Sequence, residues 1–107
     1  MLTNETIINL NNIVLKYRKK PLSNIEVEIL NHTNNGLTYT QMSINSHYSH
    51  QYLSDKGYQL FNIFSKELNM KINKSNFHVF LNIISNKYKP PTINLNIDNY
   101  LDGEENY

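Results

Sequence analysis

Four histidines and nine carboxylates are the side chains that would first suggest a metal site or a catalytic centre. His47 and His50 stand three residues apart, a spacing that can place two imidazoles on one face of a helix. A zinc site needs three or four ligands, and no acid or third histidine stands at a matching helical spacing. His47 also falls in a predicted turn. The sequence therefore predicts no metal site.

Nucleophilic and phosphate-binding chemistry lack their usual residues as well. There is no cysteine, which excludes disulfides, thiolate-bound zinc and a thiol nucleophile. The chain has no glycine-rich phosphate loop, and no order of Ser, His and acid suggests a triad. We therefore predict that the chain is not an enzyme and needs no cofactor.

The polar side chains of residues 47–58 suit a different chemistry, contact with a DNA groove. Gln51 can pair with adenine, and Ser49 precedes a predicted helix at the position where phosphates bind helix N-termini. Asp55 would repel phosphate but can accept a hydrogen bond from cytosine. The alternative is a solvated helix face that reads nothing, since this face has no arginine. The candidate DNA-contacting residues here are His47, Ser49, His50, Gln51, Ser54, Asp55, Lys56 and Tyr58.

Two groups of basic residues outside this segment could bind phosphates, and each such contact would make binding more sensitive to salt. The alternative for each lysine is a solvated side chain, or for the first group a partner of the helix dipole. Clustering of both groups near Ser49 would favour DNA, whereas scattering around the domain would favour another kind of partner. The groups are Lys16, Arg18, Lys19 and Lys20, and then Lys71 and Lys74.

Helical periodicity predicts the elements that position these residues. Residues 5–17 repeat apolar side chains at helical spacing after an N-cap at Thr3 or Asn4, and Pro21 stops that helix. The residues predicted to face inward are Ile7, Leu10, Ile13 or Val14, and Tyr17. A second helix follows Ser23, and Glu26 completes a capping box with it. Its inward stripe is Ile25, Ile29 and Leu30.

A short helix capped by Thr38 and a long helix capped by Ser49 come next, joined by a tight turn. The short helix is predicted to bury Tyr39 and Met42, with Ile44 as a third candidate. The long helix ends at Asn69, and its predicted stripe is Leu53, Gly57, Leu60, Phe64 and Leu68. Gly57 within a helix suggests that another element crosses closely there.

Residues 70–72 are predicted to be extended, and Asn73 to cap a last helix with Phe77, Phe80 or Leu81, and Ile84 inward. We therefore predict an all-α helix-turn-helix domain of four to five short helices over residues 1–89. Residues 90–107 are predicted to form a polar, acidic tail after Pro90–Pro91.

Charge divides the chain at the same place. Residues 1–89 carry ten basic and five acidic side chains, a net of +5, whereas residues 90–107 carry four acids and no base. A basic body with an acidic tail is consistent with a nucleic-acid partner, and the tail could either bind the basic patch of a protein partner or fold over the basic face and weaken DNA binding. No stretch approaches the roughly 20 apolar residues of a membrane span, and nothing reads as a signal peptide. We expect a cytoplasmic protein, or a stromal one if the gene is plastid-encoded.

One continuous pattern of residues resembles the N-terminal helix-turn-helix domain of the vWA-MoxR-associated proteins, which is common in cyanobacteria. The resemblance covers roughly residues 3–85 and rests on many small agreements. It departs where Asn69 replaces a usual Gly and Phe61 a frequent Trp. The 107 residues hold no ATPase or repeat domain, which fits either a stand-alone version or a fragment of a longer protein. The chain is more distantly similar to LuxR-type DNA-binding domains. The pattern is Leu22-Ser23, Leu30, Gly36, Thr38-Tyr39, Met42, Tyr48-Ser49, Tyr52-Leu53, Gly57, Leu60-Phe61, Phe64-Ser65, Leu68, Lys74 and Asn76-Phe77.

The resemblance implies a small transcriptional regulator that binds duplex DNA, with the long helix as recognition helix. A lone helix-turn-helix reads few base pairs, so a homodimer is expected. The alternative is a non-catalytic protein-interaction or signalling adaptor that uses the same fold. The near-zero net charge and the lack of arginine on the long helix support that alternative.

Overall fold

The described part of the chain, residues 1–87 of the computed structural model, consists of helices and connecting turns without a strand. The helices are α1 (Asn4–Arg18), α2 (Asn24–Asn34), α3 (Tyr39–Ile44), α4 (His50–Leu68) and α5 (Phe77–Lys87), with a 3₁₀ helix at Lys74–Asn76. The predicted all-α fold is confirmed. Within this range no helix has the length and apolarity that crossing a membrane requires. The predicted acidic tail and the domain boundary at residue 89 lie outside the described residues.

Side-chain caps fix where the helices begin and end. Ser23 accepts a hydrogen bond from the backbone N–H of Glu26, and the Glu26 carboxylate accepts one from the N–H of Ser23, which confirms the predicted capping box. Thr38 forms a second capping box, with Gln41, at the start of α3. The side chains of Thr3 and Ser49 each accept one backbone N–H at the starts of α1 and α4. The first four backbone N–H groups of a helix have no partner within the helix, and each of these caps provides a partner for one of them.

Asn69 ends α4 in the left-handed region, with φ of 52°, as a helix C-cap requires. The family resemblance places Gly at this position, and Asn serves there because its short polar side chain tolerates that backbone conformation. The chain turns away after α4 and reverses beside it.

An aromatic cluster joins α4 to α5. Phe64 and Phe80 stack with ring centroids 4.6 Å apart, and Phe77 contacts both rings. Phe61 meets Phe64 and Phe77 edge-on. Aliphatic side chains of α1 and α2 surround these rings and complete the main core; they are Leu10, Ile13, Val14 and Leu30.

A smaller apolar cluster holds the helix-turn-helix unit together. Ile29 of α2, Met42 of α3 and Leu53 of α4 are all buried against one another. They fix the angle at which α4 leaves the Asn45–Ser49 turn. The buried stripe of α4 predicted from periodicity is confirmed at Leu53, Gly57, Leu60 and Phe64, with Phe61 added. The fifth predicted residue, Leu68, is only partly buried against the core.

Three expectations about local structure were wrong. Tyr17 is exposed, because its hydroxyl reaches along the surface to donate to Glu67. Ile44 is 74% exposed, because α3 ends there after less than two turns and only Met42 of its last turn faces the core. The last helix does not begin as one α-helix after Asn73: the Asn73 side chain first caps the 3₁₀ helix Lys74–Asn76.

A buried ion pair connects the end of α1 to the start of α2. The Arg18 guanidinium donates to both Glu26 carboxylate oxygens, at 2.8 and 2.6 Å, and also to the backbone carbonyls of Lys20 and Pro21. The Glu26 side chain is 3% exposed. Burial raises the pKa of the Glu26 carboxyl, but hydrogen bonds from Arg18 and Ser23 outweigh burial and lower the pKa to about 2.

Acid should therefore destabilise the domain through Glu26. Its folded pKa is depressed from the ordinary 4.5 to about 2, so its contribution is fully present above pH 4.5 and is lost as the pH falls toward 2. That contribution amounts to about 3 kcal/mol. Urea denaturation at pH 6, 4.5, 3.5 and 2.5 should show a steeper loss in the wild type than in Glu26→Gln. Parallel pH profiles for the two proteins would contradict this assignment.

Gly57 lies where α3 meets α4, as the sequence suggested. A Cβ at this position would overlap the Tyr39 hydroxyl and lie 2.8 Å from Tyr39 Cζ. The close neighbour is the ring of Tyr39 at the start of α3. The missing side chain of Gly57 therefore makes the space in which this ring lies against α4.

Substitution Gly57→Ala should destabilise the domain, although alanine favours helix by about 1 kcal/mol over glycine. Displacement of the Tyr39 ring should cost more than that gain, about 1–3 kcal/mol, which leaves a net loss of up to about 2 kcal/mol. Urea denaturation of Gly57→Ala, Tyr39→Leu and the double variant tests the cause. The loss should shrink or reverse in the double variant, and an equal loss in both backgrounds would contradict a clash with Tyr39.

Candidate nucleic-acid interface

The N-terminal end of α4 combines a capped turn with exposed polar side chains. Ser49 Oγ accepts a hydrogen bond from the Tyr52 N–H at 3.1 Å. The backbone N–H groups of His50 and Gln51, the first two residues of α4, have no partner within the helix. Gln51 Nε2 donates to Asp55 Oδ1 at 2.8 Å on the exposed face. That hydrogen bond occupies part of the Asp55 carboxylate and orients the Gln51 amide.

Cations flank this polar face on two sides. Successive helical residues are 100° apart, so Lys56 and Tyr58 lie on opposite sides of the buried Gly57. Lys56 Nζ lies 5.7 Å from the centroid of the Tyr52 ring on its side. The Tyr58 side holds Lys71 and Lys74, which line one groove with Ser54 and Tyr58. The structure thus brings four of the predicted site residues together in one groove, with Lys56 on the other side of α4.

The segment after α4 reaches this groove because Ser65 holds it there. Ser65 Oγ donates to the Phe61 carbonyl at 2.7 Å and accepts from the Ile72 N–H at 2.8 Å. Asn76 Nδ2 donates to the Lys71 carbonyl at 2.8 Å, which fixes the backbone of that lysine. Residues 70–74 therefore run beside α4, although no strand forms there.

Lys74 is held in one place by neutral groups. Its ammonium donates to the Leu37 carbonyl at 2.7 Å and lies 4.5 Å from the centroid of the Tyr39 ring. Burial lowers the pKa of Lys74. Within residues 1–87, the ion-paired carboxylates Glu26 and Glu67 pair with other cations and not with Lys74.

The first basic group lies elsewhere. Lys16 Nζ is 2.7 Å from Glu67, one residue before the end of α4, and the hydrogen bond to Glu67 raises the pKa of Lys16. Ser49 and Glu67 are 18 residues apart, or about 27 Å along the helix axis. Arg18 is bound to Glu26. Lys19 and Lys20 are exposed at this distant end. The two basic groups are therefore separated, which is the arrangement expected for a partner other than DNA, and only Lys71 and Lys74 lie beside the N-terminal half of α4.

Sequence reasoning missed the aromatic residues beside α4. Tyr48 and Tyr52 stack with centroids 4.8 Å apart, next to Lys56. Tyr48 directly precedes the N-cap Ser49 and Tyr52 lies in the first turn of α4, so their places around the predicted helix start were the available signal. Tyr39 supports Lys74 and contacts the His50 ring edge-on at 6.1 Å. The contacts of Tyr39 with Lys74 and with His50 join residues far apart in the chain, so no local spacing in the sequence predicts them.

His47 is exposed in the turn before Ser49. Among residues 1–87 no three of the His, Asp and Glu side chains converge as a metal site would need. The polar side chains on this face of α4 can donate and accept hydrogen bonds, and the flanking lysines can pair with the anionic groups of a partner surface.

Comparison with known protein families gives one match. A family model described as vWA-MoxR associated protein N-terminal HTH matches residues 1–84 of the chain. No curated protein and no solved structure matches the chain. The matched residues run from before α1 into the last turn of α5, so they include α3, the turn and α4.

Proposed function

The chain belongs to the family of vWA-MoxR associated protein N-terminal helix-turn-helix domains, and on that basis we propose that it binds duplex DNA through the exposed face of α4. The observation that carries this proposal is the polar N-terminal half of α4 flanked by Lys56 and by Lys71 with Lys74. Gln51, Ser54 and Tyr58 would face base edges, and Ser49 would lie at a phosphate. The domain acts as a non-catalytic transcriptional regulator.

The remaining cations contribute less in this proposal. Lys16 and Arg18 would have to leave carboxylate partners to reach a phosphate. Lys19 and Lys20 could touch only a phosphate far from the α4 N-terminus. Two copies on one operator would extend the readout, with α1 or α5 as the interface.

The experiment is fluorescence anisotropy of a labelled mixed-sequence duplex titrated with the purified chain at several salt concentrations. We expect a dissociation constant on the order of 1–100 µM at physiological salt, rising steeply as salt is added. Absence of binding at low salt would contradict the proposal, because the electrostatic contribution is common to DNA-binding domains.

A second candidate function is a non-catalytic protein-interaction domain, and exposed apolar and aromatic side chains around the turn between α3 and α4 favour it. Ile44 is 74% exposed at the end of α3, and the stacked Tyr48 and Tyr52 are about 40% exposed beside the turn. Neutralisation of Lys16 and Arg18 by carboxylates also reduces the basic surface. The double variant Ile44→Ser with Tyr48→Ser tests whether these side chains also contact DNA. Unchanged duplex binding in this variant would show that they lie outside the DNA-contacting face.

A further inference from the structure

The groove between α4 and residues 71–74 has the properties of a small-ligand site. Its volume is about 320 Å³, within the range of ligand pockets at roughly 300–1,000 Å³. Phe61 and Ile72, both nearly fully buried, provide an apolar floor. Hydroxyl and amide groups surround that floor; they come from Ser54, Tyr58, Asn62 and Asn73.

The charge of the groove has one sign. Lys71 and Lys74 both line it, and no aspartate or glutamate does. Lys74 is half-buried and its ammonium is held by the Leu37 carbonyl and the Tyr39 ring, both neutral. An ammonium in that position attracts an anion without first giving up a carboxylate, and its fixed position reduces the ordering cost of binding.

We propose that this groove binds a small organic anion in which a phosphate or carboxylate is joined, directly or through a sugar, to a planar aromatic body. The anionic group contacts Lys74 and Lys71, and the planar body lies on Phe61 and Ile72. Ser54 and Tyr58 also belong to the face of α4 that we propose for DNA, so a bound anion covers part of that face. The ligand site itself does not depend on the DNA proposal.

The test uses four probes on the ¹⁵N-labelled full chain, followed by amide chemical shifts. AMP and salicylate carry both required features, inorganic phosphate carries only the anion, and adenosine carries only the planar body. AMP or salicylate should shift amides of residues 54–62 and 71–74 at lower concentration than phosphate or adenosine does. Equal affinity for phosphate and AMP, with no response to salicylate, would overturn the planar-body part of the proposal.

Matched variants test the cations. Lys71→Met removes a charge from the groove, whereas Lys20→Met removes one from an exposed position at the other end of the domain. The first should weaken the tighter probe about tenfold and the second should leave its affinity unchanged. Lys74→Met retains the apolar stem beside Tyr39 and should weaken binding similarly, with the fold checked by its amide spectrum. Shifts spread over all surface lysines, or equal weakening by Lys20→Met and Lys71→Met, would overturn the site.

Discussion

Replacement of Arg18 by Met should lower the free energy of unfolding by about 3–5 kcal/mol, the cost typical of removing one partner of a buried ion pair. The Glu26 carboxylate is 3% exposed and would lose both guanidinium hydrogen bonds. The carbonyls of Lys20 and Pro21 would lose their donor as well. Urea denaturation at pH 7, followed by circular dichroism at a helical wavelength, measures the change.

Two further variants separate this cause from a general loss of charge. Lys20 is exposed and stands two residues after Arg18, so Lys20→Met removes a nearby positive charge without breaking a buried pair. It should change the free energy of unfolding by less than about 0.5 kcal/mol. In a Glu26→Gln background, Arg18→Met should cost much less than in the wild type, because no buried charge is left alone. A small effect of Arg18→Met in the wild type would contradict the structural role given to the pair.

Substitution Phe64→Ala should cost about 3–5 kcal/mol, as large-to-small changes of fully buried aromatic residues do. Phe64 has no exposed surface and contacts Phe61, Phe77 and Phe80. Its loss would open a cavity between α4 and α5 and remove the ring contacts that tie them together. The measurement is the urea midpoint, read from helical circular dichroism.

Tyr58→Ala is the matched control on the same helix. Tyr58 is 68% exposed, so its removal should change stability by less than about 0.5 kcal/mol. A comparable loss in Phe64→Ala and Tyr58→Ala would contradict the assignment of Phe64 to the centre of the core.

Local signals in the sequence predict most of the fold. The caps at Ser23, Thr38 and Ser49 and the helix end at Asn69 each depend on residues within four positions, so the sequence contains them in full. Periodicity likewise predicts the buried stripe of α4. Ile44 shows where prediction from periodicity fails. In a helix as short as α3, a shift of the helix end by one turn decides which residue faces the core.

The candidate site is less predictable, because its geometry comes from contacts between distant residues. Lys16 and Glu67 are 51 positions apart, and Lys74 reaches the Leu37 carbonyl across 37. Arg18 reads as a phosphate contact in the sequence, although its partner Glu26 is only eight residues away. The position of Glu26 between Ile25 and Ile29, on the face of α2 that packs inward, was the signal for a buried carboxylate that needs a cationic partner.

The position of the DNA-contacting face is the central claim, and two charge-matched double variants test it. Lys56→Gln with Lys71→Gln removes one cation from each side of the N-terminal half of α4 and leaves Lys74 in place. Lys19→Gln with Lys20→Gln removes the same charge from the far end, and neither pair includes a residue of the two described ion pairs.

The measurement is the slope of the logarithm of the duplex association constant against the logarithm of salt concentration for the wild type and both variants. The α4 pair should weaken binding and reduce the magnitude of the slope by about 2, since each phosphate contact contributes nearly one unit. The Lys19 and Lys20 pair should leave the slope close to that of the wild type. Equal slopes in both variants, or a larger loss from the Lys19 and Lys20 pair, would contradict contact through α4.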